Sequence, residues 1–454
     1  MAPVHTVVAV AALGLLVTVV VRPAAAAWLW MLVTPLIVGV ERGRLLPGVR
    51  LNEALLVLLF LTVVMRWVVL ALSGRMRRPT LGRIDLAFLV LMLTGAVLPL
   101  LWMLARGRGM SGQDVQAAAV IAKYYMLFVL FRLSVRAEAD ARRCLLASLA
   151  AGVVVAVLAV LQSLGLFGVP DLVATYWASG GAAGRGSSTV GNAHGAADLL
   201  VFNLAIALAL GLHRTARGAS AWPLALAGVF LLGALGSGQA SAVFAVLVTL
   251  VAVGWLLGQL PRIGVGALLG VPMVLFVLAP VIDARLRGVD PSSGLPSSWL
   301  ARWENLSTYF WPQLFDGYGW LLGVQVVPEA AGKESWQPTV YIENGHTWLL
   351  WIGGVPYLLA FLFFVLVALR IGRTAARHAE GAFAVAGVAA FSAYGTVFVL
   401  TALDPHLFLR GSADLAVPLL ALASVGLDQR RRARRFDFTR ERHLPDRERE
   451  REPS

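Results

Sequence analysis

Residues 144–166 read CLLASLAAGVVVAVLAVLQSLGL, 23 positions without a charged side chain. About 20 apolar residues in a helix span the ~30 Å hydrocarbon core of a bilayer. A strand of a membrane barrel would alternate polar and apolar residues, and this stretch does not. In lipid, only a helix satisfies the backbone hydrogen bonds of such a segment. The same reading recurs on both sides of it, over 4–21, 24–40, 52–73, 84–104, 114–132, 197–212, 221–236, 240–258, 264–282, 347–369, 383–403 and 413–427. Only Arg22 and Pro23 separate the first two runs, so the count is 12 or 13. The expected fold is an all-α polytopic membrane protein with 12–13 transmembrane helices and one large extracytoplasmic loop.

Composition agrees. Of 454 residues, 59% are hydrophobic and 14% charged, against roughly half and a quarter in soluble domains. A soluble enzyme, a disulfide-rich secreted domain and a disordered chain are excluded. The single cysteine, Cys144, excludes an intramolecular disulfide and a thiolate cluster. The net charge of +13 does not point to nucleic acid, because it lies mostly in short connections between apolar runs.

Those connections set an orientation. Arg75, Arg77, Arg78 and Arg83, then Arg136, Arg142 and Arg143, then Arg214 and Arg217, then Arg262, then Arg370, Arg373 and Arg377 fall in alternating connections. By the positive-inside rule that side is cytoplasmic. The opposite side holds the two longest connections, 167–196 and 283–346. Arg42, Arg44 and Arg50 then face outside, against the rule. The N-terminus lacks a basic region before its apolar run, so a spanning segment is expected there rather than a cleaved signal. Residues 1–427 thus form one membrane domain. The tail 428–454, with ten arginines and seven acids, is expected to be a disordered basic cytoplasmic extension.

The outer connections hold the unusual residues. The first runs from Gly180 through Arg185 to Asn192, His194 and Gly195. Glycines allow backbone to approach a ligand closely. A guanidinium fork matches phosphate oxygens, and a helix N-terminus near Ala196 also favours an anion. The alternative is a flexible loop with ordinary caps. The second connection opens with Arg285 and Arg287. In it Trp299, Trp303, Leu306 and Phe310 share one face of an expected interfacial helix, which carries Arg302. Arg302 meets either lipid headgroups or a ligand phosphate. Trp311, Tyr318, Trp320, Trp336 and Tyr341 suit sugar rings and lipid interfaces equally. The connection ends in Glu343-Asn344-Gly345-His346. A carboxylate and an imidazole three residues apart share a face if the helix starts early, and fit a general base with its orienting partner. A polar helix cap is the alternative.

Other residues read as structural. Lys123, Arg66 and Asp198 lie inside apolar runs, where snorkelling or an internal hydrogen bond serves as well as a site. His406, in Asp404-Pro405-His406, reads as a turn residue. The seven histidines have no metal-ligand spacing, and no nucleotide-binding glycine motif is present. No metal and no cofactor are expected.

In this order the motifs resemble the O-antigen ligase and O-antigen polymerase superfamily of bacterial membrane glycosyltransferases. Three places carry the likeness, over about residues 145–370. The first is Arg185 through Ala197. The second is Leu235-Gly236-Ser237-Gly238-Gln239-Ala240-Ser241. The third is Arg302, then Leu321-Leu322-Gly323-Val324, then Glu343 through Pro356 with Gly353-Gly354 inside. The family pattern has an arginine where Gln239 stands and a histidine where Glu343 stands. One diphosphate contact is therefore missing or supplied by Arg285, Arg287 or Arg302, and the base is Glu343 or His346.

The resemblance implies metal-independent glycosyl transfer on the outer face of the cell membrane, for cell-surface polysaccharide assembly. The donor it implies is a polyprenyl-diphosphate-linked glycan, and the acceptor a glycan, lipid or protein. Arg185, Arg302, Arg285 and Arg287 would hold the diphosphate, with Asn192, His194 and Asn344 as further polar groups of the site. A secondary transporter or flippase of a lipid-linked glycan is the rival reading. Transporters place binding charges at mid-membrane, often between internal repeats. Here few charges are central and no repeat of 20–50 residues is visible. A structural assembly partner, a third reading, leaves the loop arginines without a role.

Overall fold

The computed structural model describes residues 13–44, 48–74, 81–177, 184–212, 221–332 and 339–442. After a helical segment over 13–21, the helices are α1 (Ala24–Ile37), α2 (Leu51–Leu72), α3 (Arg83–Ala105), α4 (Gly112–Ser134), α5 (Glu138–Ser163), α6 (Val169–Tyr176), α7 (Ala193–Leu212), α8 (Ala221–Gly236), α9 (Ala240–Leu257) and α10 (Leu260–Val277). A compact insertion follows: α11 (Ala279–Leu286), α12 (Ser297–Asn305), α13 (Trp311–Phe315), α14 (Gly319–Leu322) and an antiparallel hairpin of β1 (Glu329–Ala331) and β2 (Thr339–Tyr341). Then come α15 (Gly345–His378), α16 (Gly381–Leu400) and α17 (Ser412–Arg442).

The protein is an all-α polytopic membrane protein. Among the described residues, nine helices are long and apolar enough to cross a membrane: α2, α3, α4, α5, α7, α9, α10, α15 and α16. The shorter apolar helices α1 and α8, and the apolar first half of α17, complete the bundle. Part of the expected span 4–21 lies outside the described residues.

Burial falls from the centre outward. Helix α7 is 89% buried over its apolar window and α16 78%, whereas α2 is 17% and α10 0% buried. Outer helices therefore present leucines and valines to lipid, as Leu268, Leu269 and Phe276 of α10 do. Lipid tails are as apolar as leucine, so helix contacts rest on small residues and hydrogen bonds. A Cβ on Gly233 would come within 2.7 Å of Ala156. Asn203 of α7 accepts from the Ser148 hydroxyl of α5 at 2.8 Å. Thr249 of α9 lies 3.2 Å from the Thr396 hydroxyl of α16 and accepts from Ser392 at 3.0 Å.

The spans alternate in direction. Among the described residues, one end of the bundle gathers Arg136, Arg262, Arg370, Arg373 and Arg377, and the opposite end gathers 41–44, 48–50, 106–111, 164–177, 184–192, 237–239, 278–332, 339–344 and 401–411. At that loop end, α15 is too long for one span and breaks at Gly354, whose φ of 64° and ψ of −160° only glycine adopts readily. A Cβ there would strike the Leu321 carbonyl of the insertion. The break frees the Trp351 carbonyl, which accepts from Val324 N at 2.7 Å and Gln325 N at 3.3 Å. The first turns of α15 thus belong to the insertion, and the remainder to the membrane.

Two expectations are corrected here. The expected disordered tail is helical through Arg442, with residues 443–454 outside the described residues. Alanine and arginine favour helix there, and Arg431 pairs with Asp428 one turn earlier at 3.9 Å. The expected single interfacial helix over 299–310 is interrupted by a π-turn at Leu306–Phe310. That turn rotates the aromatic face. Phe310 is buried against Trp351, with ring centroids 5.1 Å apart, while Trp303 stays 64% exposed.

Candidate functional site

A cavity of about 730 Å³ lies at the loop end and runs between α8, α9, α10 and the insertion. Its size is that of a small-molecule site. Its deep wall is apolar, built by Leu231 and Leu235 of α8, Val243 and Leu247 of α9, and Val271 and Leu275 of α10. Its head is polar and holds Arg185, His194, Gln239, Arg285, Arg302, Glu343 and Asp404.

Arg185 enters from the connection before α7. Gly184 turns with φ 79°, and Gly186 N–H donates to the Gly236 carbonyl at 3.3 Å, which fastens the loop to the end of α8. The buried Nε of Arg185 has no hydrogen-bond partner. Arg285 reaches the same place from α11. It crosses the turn at Gly238, where φ is 65° and a Cβ would come within 3.2 Å of the guanidinium and 2.8 Å of the Gly184 carbonyl. Partial loss of solvent, and then the charge of Arg185, hold Arg285 below the usual arginine pKa.

Arg302 faces two carboxylates. Its Nη1 donates to Asp404 at 3.0 Å and its Nε lies 3.2 Å from Glu343. Asp404 is nearly buried, and its other neighbour is His194 Nε2 at 3.6 Å. Burial pushes the Asp404 carboxyl up, and Arg302 and His406 only partly offset this. Glu343 is 46% exposed and open to the cavity. Behind this pair lies a second one: His406 Nδ1 is 2.9 Å from Asp198, and both side chains are 1% exposed. Burial alone would lower the His406 pKa. Burial is the largest single influence, but the charge and hydrogen bond of Asp198 together with the charge of Asp404 outweigh it, so the ring is held above its ordinary value. The rings of His406 and His194 are 6.2 Å apart.

Of the residues singled out in the sequence, Arg185, His194, Arg285, Arg302 and Glu343 converge on the cavity. Four others do something else. Arg287 pairs with Asp283 one turn back in an exposed position. Asn192 caps α7, which starts at Ala193 rather than near Ala196; its Oδ1 accepts from His194 N at 2.8 Å and Gly195 N at 3.3 Å. Asn344 caps α15, accepting from Thr347 N at 2.9 Å, and its Nδ2 donates to the Ala402 carbonyl at 2.8 Å. That bond fixes the 401–411 loop, and with it Asp404, against Arg302. Because α15 starts at Gly345 and Asn344 is extended, with φ −152° and ψ 120°, Glu343 and His346 do not share a helix face. Glu343 lines the cavity and His346 does not.

Sequence reading missed Asp404 and the Asp198–His406 pair. Their one signal was an acid inside an apolar run, Asp198, which has to find a partner. Among the described residues no three His, Cys, Asp or Glu side chains gather as a metal site requires. No protein-family model and no curated protein matches the chain.

Proposed function

We propose that the protein is a membrane glycosyltransferase, similar to O-antigen ligases and polymerases. It transfers or polymerises a glycan from a polyprenyl-diphosphate donor at the outer face of the cell membrane, for cell-surface polysaccharide assembly. One observation carries this reading. A single cavity joins three arginines to an apolar wall that opens along a lipid-facing helix, so it matches a ligand with a diphosphate head and a hydrocarbon tail.

The diphosphate lies among Arg185, Arg285 and Arg302, and the tail lies between α9 and α10. The acceptor hydroxyl oxygen attacks the anomeric carbon from the side opposite the leaving group, and the carbon–oxygen bond to the diphosphate breaks with inversion. The bonding pair leaves on the diphosphate, where preorganised guanidiniums stabilise the added charge. The hydroxyl proton passes to a carboxylate base. Glu343 is suited to this role, because diphosphate binding draws Arg302 away from it. The position of Gln239, where the resembled family carries an arginine, is served by Arg285 across Gly238.

Purified protein given a short polyprenyl-diphosphate glycan tests the reading, with Arg185→Ala as control and products resolved on a gel. Longer glycans, or transfer to an added acceptor, that disappear in Arg185→Ala are expected. Full activity in a folded Arg185→Ala variant would sink the proposal. Donor movement across a liposome membrane without any product would favour a flippase.

A further inference from the structure

Helix α12 carries two indoles to which the transfer chemistry above gives no role. Trp299 is half-buried and lines the cavity with Arg302 and Glu343. Among the described residues it is the only indole or phenyl ring in that lining. Trp303 follows one turn later and is 64% exposed. Residues three and four apart on a helix share a face, with Cβ atoms about 5–6 Å apart. Trp299 therefore adjoins both Arg302 and Trp303.

Trp303 is exposed yet braced. Its ring meets Trp311 edge to face, with centroids 4.9 Å apart, and the Trp311 indole N–H donates to the Thr347 hydroxyl at 3.4 Å. The indole N–H groups of Trp30, Trp102, Trp177 and Trp351 also donate within the protein, each to a backbone carbonyl. Those of Trp299 and Trp303 have no partner among the described residues, so each ring offers a flat apolar face and a free donor. A bilayer anchor is the competing role for such a helix. An interfacial helix turns lysines or arginines towards the headgroups. The one cation of α12, Arg302, is instead turned inward to Asp404 and Glu343. The residues exposed around the indoles include Ser297, Ser298 and Glu304, and a carboxylate is repelled by anionic headgroups. The lipid-facing helices α2 and α10 present leucine and valine there.

We infer that Trp299 is a pyranose-binding subsite, on which the sugar joined to the diphosphate stacks its apolar face, and that Trp303 extends the platform towards the next ring of the glycan. The inference rests on the transfer proposed above and identifies the part of the site that holds the sugar. An indole supplies a large rigid contact at little cost in rotamer entropy, and its N–H can meet a sugar hydroxyl. Trp299, Arg302 and Glu343 line one polar head, so a stacked sugar is held where the diphosphate departs and the acceptor hydroxyl loses its proton.

The test is equilibrium binding to the full chain in detergent, by calorimetric titration. The probes are farnesyl diphosphate and its conjugates with glucose, galactose and N-acetylglucosamine. Wild type is expected to bind at least one conjugate about three- to tenfold tighter than farnesyl diphosphate, the scale of one aromatic stack. Trp299→Leu keeps an apolar side chain without a flat face and should lose that preference, while Trp299→Phe should keep most of it. A fall confined to the conjugates in Trp299→Leu, beside an equal fall for bare and sugar-bearing probes in Arg302→Ala, supports the subsite. A wild type without preference would overturn it, and so would a preference that survives Trp299→Leu. An equal fall for all probes in Trp299→Leu would also overturn it, and would assign the ring to the lipid or the diphosphate. A preference that depends on Trp299, in a protein that transfers glycan to no acceptor, would remove the transferase and leave the subsite. Glycan transfer with a preference independent of Trp299 would do the opposite.

Discussion

Arg302 is the residue on which the cavity's electrostatics turn, since one guanidinium bridges Asp404 and Glu343. Arg302→Ala is expected to lower kcat/KM about 10²–10³-fold, the scale of losing one preorganised donor to a developing charge. Arg302→Lys keeps the charge but not the fork, and about tenfold of the loss should remain, measured by initial transfer rates. The Asp198–His406 pair gives a pH signature. His406 has a raised folded value, so its stabilising contribution is complete below the unfolded value near 6.5 and is lost as pH rises through the folded one. Melting temperature should therefore fall with rising pH above about 6.5. Asp198→Asn should remove most of that slope, with a loss on the order of 3–5 kcal/mol at low pH, because the imidazolium is left buried and unpaired. An unchanged slope would show that the Asp198–His406 pair does not set the pH response. At this scale the sequence was legible where a cation had no local partner, as for Arg185 and Arg302. It misled where the answer depended on the exact helix start: Asn192, Asn344 and His346 changed meaning with the first residue of α7 and α15. Asp404 and His406 were opaque because their partners lie about 100 and 200 residues away in the chain.

Among the elements, α15 shows how an apolar run becomes two things. Hydropathy foretold a helix beginning near residue 347, and the family resemblance placed the pair Gly353-Gly354 inside it, but neither told which part of the run belongs to the membrane. Tertiary contact decides it: the insertion's Leu321 carbonyl fills the space a Cβ on Gly354 would need. Gly354→Ala is expected to destabilise by about 1–3 kcal/mol from backbone conformation alone, and to shift Glu343 and Asn344 away from the 401–411 loop. Transfer should fall while the membrane spans stay folded. Limited proteolysis should then cut the insertion faster, with helical content by circular dichroism unchanged. Gly238→Val is the matching test at the cavity. It combines a positive φ with displacement of Arg285, so its loss of donor binding should resemble that of Arg285→Ala. A variant that binds donor normally would show that Arg285 does not act across that turn. The π-turn at Leu306–Phe310 had no sequence signal, because the aromatic spacing fits an uninterrupted helix equally well.

For the molecule as a whole, orientation in the membrane links every functional statement. By the positive-inside rule the connections after α2, α4, α7, α9, α15 and α17 are expected inside, and the cavity is then expected to face outside. The rule rests on arginines that resist translocation. Arg42 breaks it, since its charge meets Glu53 and Gln116 instead of serving as a topology signal. Cysteine labelling checks the assignment on a nearly silent background, because Cys144 is fully buried. In Ser293→Cys the new thiol sits in the exposed insertion, and in Glu380→Cys it sits at the arginine-rich end between α15 and α16. A membrane-impermeant maleimide applied to intact cells should label the first and not the second, and permeabilisation should expose the second. The reverse pattern would turn the cavity to the cytoplasm, where a transferase for outward-facing lipid-linked glycans has no substrate, and Arg185, Arg285 and Arg302 would need a cytoplasmic phosphate ligand instead.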